Sequence, residues 1–312
     1  MNVTILGCGA YGTALAHMFK ENNCNIIMWN KFDNGFDELK NELDVEFTID
    51  MKYAIDKANL LVIAIPLEYL ENTVIELSKI YKGQDMVIAS KGIDTKTGLF
   101  AHQIINKYIK CDNIGAISGG TFAVDMKNKM IMGITLGTKS DSVKDKIKNI
   151  LENKYLRVQY YDDMLGVEIC GSIKNVMAIG FGILDGALYP ESSRFLFLTE
   201  AIYEIDALIK TLGGSDNTIM SYAGIDDIMM TCTSSKSRNY TMGKLIGSGN
   251  NKEDIDKYKS ETTVEGIGTA LGINTLCKNN NIKLGICSII YDILYNNLDY
   301  KKLINYLINK RN

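Results

Sequence analysis

Histidine is scarce in this 312-residue chain, which has only His17 and His102. His17 lies within the first helical pattern and His102 follows Leu99-Phe100-Ala101 in another, so both read as packing or surface residues. Proton transfer, if the chain performs any, then falls to Lys, Asp or Glu. Its 7 Cys are odd in number and form no Cys-x-x-Cys pair. That supports neither a disulfide framework nor a zinc site, and free thiols in a reducing compartment are expected. No metal site is expected. A basic excess is also lacking, since the net charge is −3, which argues against a nucleic-acid partner. No run of about 18 apolar residues offers an integral membrane segment. The chain opens on a strand pattern without a charged leader and apolar stretch, so a cytoplasmic protein is expected. No linker rich in Pro, Gly or Ser and no internal repeat is found.

What is present is a globular composition, 46% hydrophobic and 23% charged. The length exceeds what one hydrophobic core usually organises, so two domains are expected. In the first half, Val3–Leu6, Asn25–Met28, Leu60–Ile65, Met86–Ala89 and Ile114–Ile117 read as buried strands. Their nearly continuous apolar runs suit a parallel sheet covered on both faces. Helical patterns over Thr13–Glu21 and Leu67–Tyr81 lie between them. Met130–Leu136 and Val158–Tyr160 read as further strands, with a helix over Ser142–Glu152. Beyond Asp162 the β pattern fades, and helical spacing covers Met164–Leu188, Arg194–Leu212, Gly266–Asn280 and Ser288–Asn296. The Asn/Lys-rich stretch Asn250–Lys259 reads as a solvated loop. The fold class is therefore α/β, an N-terminal Rossmann-type doubly wound sheet over 1–162 with a mainly helical C-terminal domain over 163–312.

Gly7-Cys8-Gly9-Ala10-Tyr11-Gly12 matches G-x-G-x-x-G between the first strand and the first helix. In that setting Gly7 permits the tight turn, Gly9 admits a pyrophosphate to the backbone, and Gly12 allows close helix–strand packing. Helix amides from Ala10 and Tyr11 onward can then face the phosphates. Folds of this kind that use NAD normally end the second strand on an acid, which accepts from the ribose 2′-hydroxyl. Here the run is Met28-Trp29-Asn30-Lys31-Phe32-Asp33, with no acid at the strand end. Lys31 either pairs with a 2′-phosphate, which tilts the choice from NAD towards NADP, or is a solvated surface lysine.

Two polar clusters stand out further along. Gly171-Ser172-Ile173-Lys174-Asn175-Val176 sets a lysine in an apolar helix, and Asp226 to Asn239 is dense in polar groups. A lysine so placed either snorkels to solvent or, if buried, becomes less basic and suited to proton transfer.

At these residues the sequence resembles the NAD(P)-dependent glycerol-3-phosphate dehydrogenases, from Met1 to about Asn297. The family's motifs occur in order: Thr13-Ala14-Leu15-Ala16 after the Gly-rich turn, Ser90-Lys91-Gly92, Phe122-Ala123, and Gly166-Val167-Glu168 leading into Lys174-Asn175. Asp227, Thr231-Cys232-Thr233-Ser234, Ser237-Arg238-Asn239 and Val264-Glu265-Gly266 follow. The resemblance implies reversible reduction of dihydroxyacetone phosphate to sn-glycerol 3-phosphate, feeding glycerophospholipid synthesis. It makes Lys174 the catalytic lysine and Asp227 its partner, with Asn175 and Thr231 as neighbours there. Lys91 would reach both substrate and cofactor, and Ser237, Arg238 and Asn239 would bind the substrate phosphate. Arg238 and Glu265 would also contact the cofactor, as would Ala10, Tyr11, Lys31 and Ala123. A small phosphorylated substrate is the implied partner, and a homodimer is the family expectation.

The chain departs from the family at Gly119-Gly120-Thr121-Phe122-Ala123, where Gly-Pro-Ser/Asn-Phe-Ala is usual. Gly119 and Thr121 belong to a loop that borders substrate, and losing Pro loosens it. Glu200 stands where an Arg is common. These differences leave the reaction type intact but keep open a reductase of another small phosphorylated or acidic substrate. A catalytically silent dinucleotide-binding paralogue is the alternative from a different class, against which the joint retention of Lys174, Asp227, Arg238 and Asn239 argues.

Overall fold

A computed structural model describes residues 1–310 and divides into two compact units. The first comprises Met1–Lys91 and Ala101–Val167; the second comprises Gly92–Phe100 and the chain from Glu168 onward.

The first unit contains β1 (Asn2–Leu6), α1 (Ala10–Glu21), β2 (Asn25–Trp29), α2 (Phe36–Glu42), β3 (Glu46–Thr48), α3 (Met51–Lys57), β4 (Leu60–Ile63) and α4 (Leu67–Ser78). It continues with β5 (Asp85–Ile88), α5 (Ala101–Tyr108), β6 (Ile114–Ser118), α6 (Ala123–Lys127), β7 (Met132–Gly137), α7 (Asp141–Leu151) and β8 (Leu156–Tyr161). The strands form one sheet in the order β3-β2-β1-β4-β5-β6-β7-β8. Order reverses about β1, the arrangement of a doubly wound fold. The expected strands are present, and the apolar runs of β1, β2, β4, β5 and β6 are buried, whereas β8 is only partly buried and β7 begins at Met132, after the exposed Met130 and Ile131. The alternation that places a helix after each strand also supplies the cover: Ala14, Leu15, Met18 and Phe19 of α1 share a core with Val143, Ile147, Ile150 and Leu151 of α7. Each such large apolar side chain contributes about 1.5–3 kcal/mol. Ser140 starts α7 by accepting a hydrogen bond from the Val143 amide.

One pairing differs from the all-parallel expectation, because β7 runs antiparallel to β6. The connector spans residues 119–131 but holds only one short helix. The five residues of α6 cover roughly 7 Å, too little to return the chain along a strand of about 16 Å. The three-residue β3 was not expected, since Glu46-Phe47-Thr48 carries a single apolar residue.

The second unit is helical: α8 (Met164–Gly186), whose first turn precedes the division, then α9 (Glu191–Thr211), α10 (Asp227–Thr233), α11 (Arg238–Gly247), α12 (Lys252–Glu261), α13 (Glu265–Asn280), α14 (Ile286–Tyr295) and α15 (Lys301–Asn309). The 23-residue α8 contains a stretch of mean hydropathy 1.5, long and apolar enough by composition to cross a membrane, yet that stretch is wholly buried inside the protein. A helix apolar all round is what a core position requires. Its glycines let α11 lie against it. A Cβ at Gly182 or Gly186 would meet the α11 backbone at Tyr240 or Lys244, and one at Gly243 or Gly247 would meet α8 at Ile179 or Ile183.

The expected loop at 250–259 is instead largely helix α12. It buries no residue, so apolar periodicity gave no signal for it. Its start is fixed by Asn251, whose side chain accepts from the Asp254 amide at 2.9 Å. Glu253 and Asp254 in the first turn and Lys259 in the last complement the helix dipole.

Candidate active site

In the first unit, the C-terminal ends of the parallel strands carry the candidate cofactor residues. Gly7 follows β1 with φ +117°, a conformation open to glycine, and an added Cβ would strike the Ala64 backbone. Its amide donates to the Trp29 carbonyl at 2.9 Å, tying the turn to β2. A Cβ at Gly12 would strike the Gly7 carbonyl, whereas one at Gly9 would meet nothing within 4 Å. Gly9 is therefore the point at which a ligand can approach the backbone. No side chain caps α1, so the first-turn amides from Ala10 and Tyr11 suit an outside acceptor such as a pyrophosphate. The turn thus fits a dinucleotide.

After β5, the Lys91 ammonium lies 4.7 Å from the centroid of the Tyr11 ring, a cation–π arrangement. The Tyr11 hydroxyl is 3.4 Å from Thr121 Oγ1. Thr121 sits in the loop after β6, its amide donating to the Gly119 carbonyl at 2.7 Å. Gly119 is packed so closely that a Cβ would lie 2.7 Å from Ile134 Cα. The loop then enters α6 at Ala123. Tyr11 accordingly joins the Gly-rich turn, Lys91 and the 119–121 loop. Lys31 has a different neighbour: its ammonium is 2.8 Å from Glu76 Oε1 on α4.

The second unit gathers the remaining candidates into two polar chains joined at adjacent residues of α8. Lys174 is buried at 6% exposure and donates to Asp227, which is fully buried. Thr231, one turn along α10, donates to the same carboxylate oxygen at 3.2 Å. Beside Lys174, the Asn175 amide donates to Glu265 Oε2 at 3.1 Å, and its carbonyl oxygen accepts from Asn239 at 2.9 Å. Asn239 accepts in turn from the Gly266 amide at 2.9 Å. Arg238 opens α11 half exposed, with its guanidinium 3.9 Å from Glu265 Oε1. Ser237 caps that helix, accepting from the Tyr240 amide at 3.3 Å. Lys174, Asn175, Asp227, Thr231, Ser237, Arg238, Asn239 and Glu265 thus come together, although 90 positions separate Asn175 from Glu265.

Just before Asp227 the chain makes a π-helical turn over Tyr222–Asp226, broken at Gly224. A side chain at Gly224 would meet the Ile219 backbone. Wide turns of this kind recur at functional sites, and here one delivers Asp227 to the start of α10. Cys232 lies fully buried on that helix, and burial pushes its thiol far up. The nearby Lys174 charge acts the other way without offsetting burial, and Asp227 adds to the rise. Burial thus disfavours the thiolate, and Cys232 packs as a small apolar residue beside the pair. Two contacts of candidate residues had no sequence signal, Glu76 to Lys31 and the Tyr258 hydroxyl to the Arg238 carbonyl at 3.2 Å.

Residues 2–144 match the family model described as the NAD-dependent glycerol-3-phosphate dehydrogenase N-terminus, and 163–305 match that of the C-terminus. The chain belongs to the NAD-dependent glycerol-3-phosphate dehydrogenase family. A glycerol-3-phosphate dehydrogenase [NAD(P)+] of Staphylococcus aureus is 31% identical, with 99% of this chain and 98% of the relative aligned. Among solved structures, the glycerol-3-phosphate dehydrogenase of Coxiella burnetii has a TM-score of 0.91 at 23% identity, covering 99% of both chains. That of Plasmodium falciparum has a TM-score of 0.88 at 20% identity, covering 100% of this chain and 96% of the other. At those identities the two structures establish the shared fold. Membership of the glycerol-3-phosphate dehydrogenase family makes the chain an oxidoreductase with a nicotinamide dinucleotide as cofactor.

Proposed function

We propose that the chain reversibly reduces dihydroxyacetone phosphate to sn-glycerol 3-phosphate with NADH or NADPH, supplying glycerophospholipid synthesis. The observation that carries this reading is the buried Lys174–Asp227 pair beside the Asn175–Asn239 chain that leads to Arg238. The reduced nicotinamide, when bound, supplies a hydride to the substrate's carbonyl carbon. As the carbonyl π electrons move to oxygen, that oxygen takes a proton from the Lys174 ammonium. In the oxidative direction Lys174, as the neutral amine, accepts the hydroxyl proton. Asp227 orients the ammonium, and Thr231 steadies the carboxylate from one turn away. Arg238 offers a planar guanidinium for two phosphate oxygens, with Asn239 beside it. Its separation from Glu265 is long for an ion pair, so the guanidinium is not fully committed within the protein.

Steady-state oxidation of NADPH and NADH with dihydroxyacetone phosphate tests the proposal. No oxidation at millimolar substrate would overturn it. The Gly119–Thr121 loop, which lacks the usual proline, favours a second reading, a reductase of another small phosphorylated substrate. Turnover of such a compound in the absence of activity on dihydroxyacetone phosphate would support that alternative. Free thiols at all seven cysteines suit the proposed cytoplasmic location. A homodimer is proposed as well, and the half-exposed Phe195 and Leu196 with exposed Tyr203 on α9 are apolar surface that a second copy could cover. Light scattering reporting a monomer would refute it.

A further inference from the structure

We propose that Glu76 sets the cofactor preference, by holding the Lys31 ammonium away from a 2′-phosphate and by repelling that phosphate itself. The proposal rests on the reading of Lys31 as the residue that meets the 2′ position of the adenosine ribose. Two charge patterns are usual at that position: an acid at the end of the second strand for the 2′-hydroxyl of NAD, or a cation for the 2′-phosphate of NADP. This chain has neither alone. β2 ends at Trp29, and Asn30 turns its amide to the Phe32 carbonyl at 3.0 Å. Lys31 is the first charged residue beyond the strand, and its ammonium is bound by Glu76 at 2.8 Å. The carboxylate comes from α4, 45 positions away.

Both side chains stay accessible, Lys31 at 54% and Glu76 at 46% exposure, so a ligand can reach either. The pair sums to zero charge. A 2′-phosphate carries close to two negative charges at neutral pH. To use Lys31 it must displace the carboxylate and then sit beside it. A 2′-hydroxyl meets no such repulsion and can donate to Glu76. An exposed ion pair is weak enough to exchange partners, so the displacement is allowed but not free. Glu76 therefore narrows the advantage that a lone Lys31 would give NADP.

The test compares kcat/KM for NADPH and NADH in wild type, Glu76→Gln, Glu76→Lys and Lys31→Ala enzymes. Glu76→Gln is expected to raise the NADPH-to-NADH ratio about three- to tenfold, and Glu76→Lys further. The gain should sit in KM for NADPH and shrink between low salt and about 0.5 M salt, where exposed charges are screened. If Lys31→Ala weakens NADPH use while Glu76→Gln leaves the ratio unchanged, or lowers both cofactors equally, the role of Glu76 is overturned. If Lys31→Ala leaves KM for NADPH unchanged, the underlying reading of Lys31 fails instead.

Discussion

The ammonium of Lys174 donates to the carboxylate of Asp227 with both partners buried, the lysine side chain 8% exposed and the aspartate 0%. A buried pair tolerates loss of one member poorly, because the other is left as an uncompensated charge at a cost of about 3–5 kcal/mol.

Lys174→Ala should abolish turnover, by a factor on the order of 10²–10⁴ or more if it is the general acid. Dinucleotide binding, which the first unit's Gly-rich turn would provide, should stay nearly unchanged by fluorescence titration. The variant should also melt earlier, since Asp227 loses its cation. A near-wild-type kcat would show that another group moves the proton.

Arg238→Ala should chiefly raise KM for the phosphorylated substrate, by about 10- to 100-fold, since a bidentate charged contact is lost. Arg238→Lys should recover only part of it, because an ammonium cannot reproduce the planar fork. An unchanged KM would refute the phosphate role.

All strands of the first unit except β3 were legible because burial in the sheet writes itself as apolar runs, as in Leu60–Ile63, and α1, α4, α7 and the segment around His102 carried helical patterns, whereas the short α2, α3 and α6 did not. The Gly-rich turn was legible for a different reason, since Gly7 at φ +117° and the tightly packed Gly12 admit no side chain. Helix α12 was not legible, because a helix that buries nothing has no apolar period and rests on its cap and end charges. Nor did any local pattern say that Gly92–Phe100 joins the second unit. There Thr275 donates to the Thr95 carbonyl at 2.9 Å across 180 positions. Among the candidate residues, types and order were visible through family resemblance, but their partners were not. That Asn175 bridges Glu265 and Asn239, and that Lys31 meets Glu76, depends on tertiary placement alone.

Tyr11 should position Lys91 through its ring more than through its hydroxyl. A cation–π contact near the surface is worth about 0.5–1 kcal/mol. Tyr11→Leu should therefore raise the substrate KM about two- to fivefold, while Tyr11→Phe, which keeps the ring, stays near wild type. Equal defects in both variants would assign the effect to the hydroxyl's contact with Thr121.

The close seam between α8 and α11 gives a stability prediction independent of chemistry. A Cβ at Gly243 would lie 2.8 Å from the Ile179 carbonyl carbon, and that atom belongs to a buried helix backbone that cannot step aside. Gly243→Ala should cost about 1–3 kcal/mol as overpacking, which lowers Tm by several degrees. An unchanged or raised Tm, as expected from alanine's helix propensity acting alone, would mean the seam can open without penalty.

Asp185 gives the same seam a pH dependence. Burial tends to raise its carboxyl, but hydrogen bonds from Lys244 and Tyr240, with the charges of Lys244 and Arg194, outweigh it and hold the group below its ordinary value of 3.8. The Tyr240 hydroxyl donates at 2.6 Å, and the Lys244 ammonium lies at 2.8 Å. A carboxyl less readily protonated in the folded state than in the unfolded state favours folding above its unfolded value, and that contribution disappears as pH falls through the folded value. The Tm difference between wild type and Asp185→Asn should thus hold steady from about pH 7 to pH 5, then narrow below about pH 4. A difference that stays constant below pH 4 would mean that the carboxylate's charge contributes nothing and that shape alone sets the effect of the substitution.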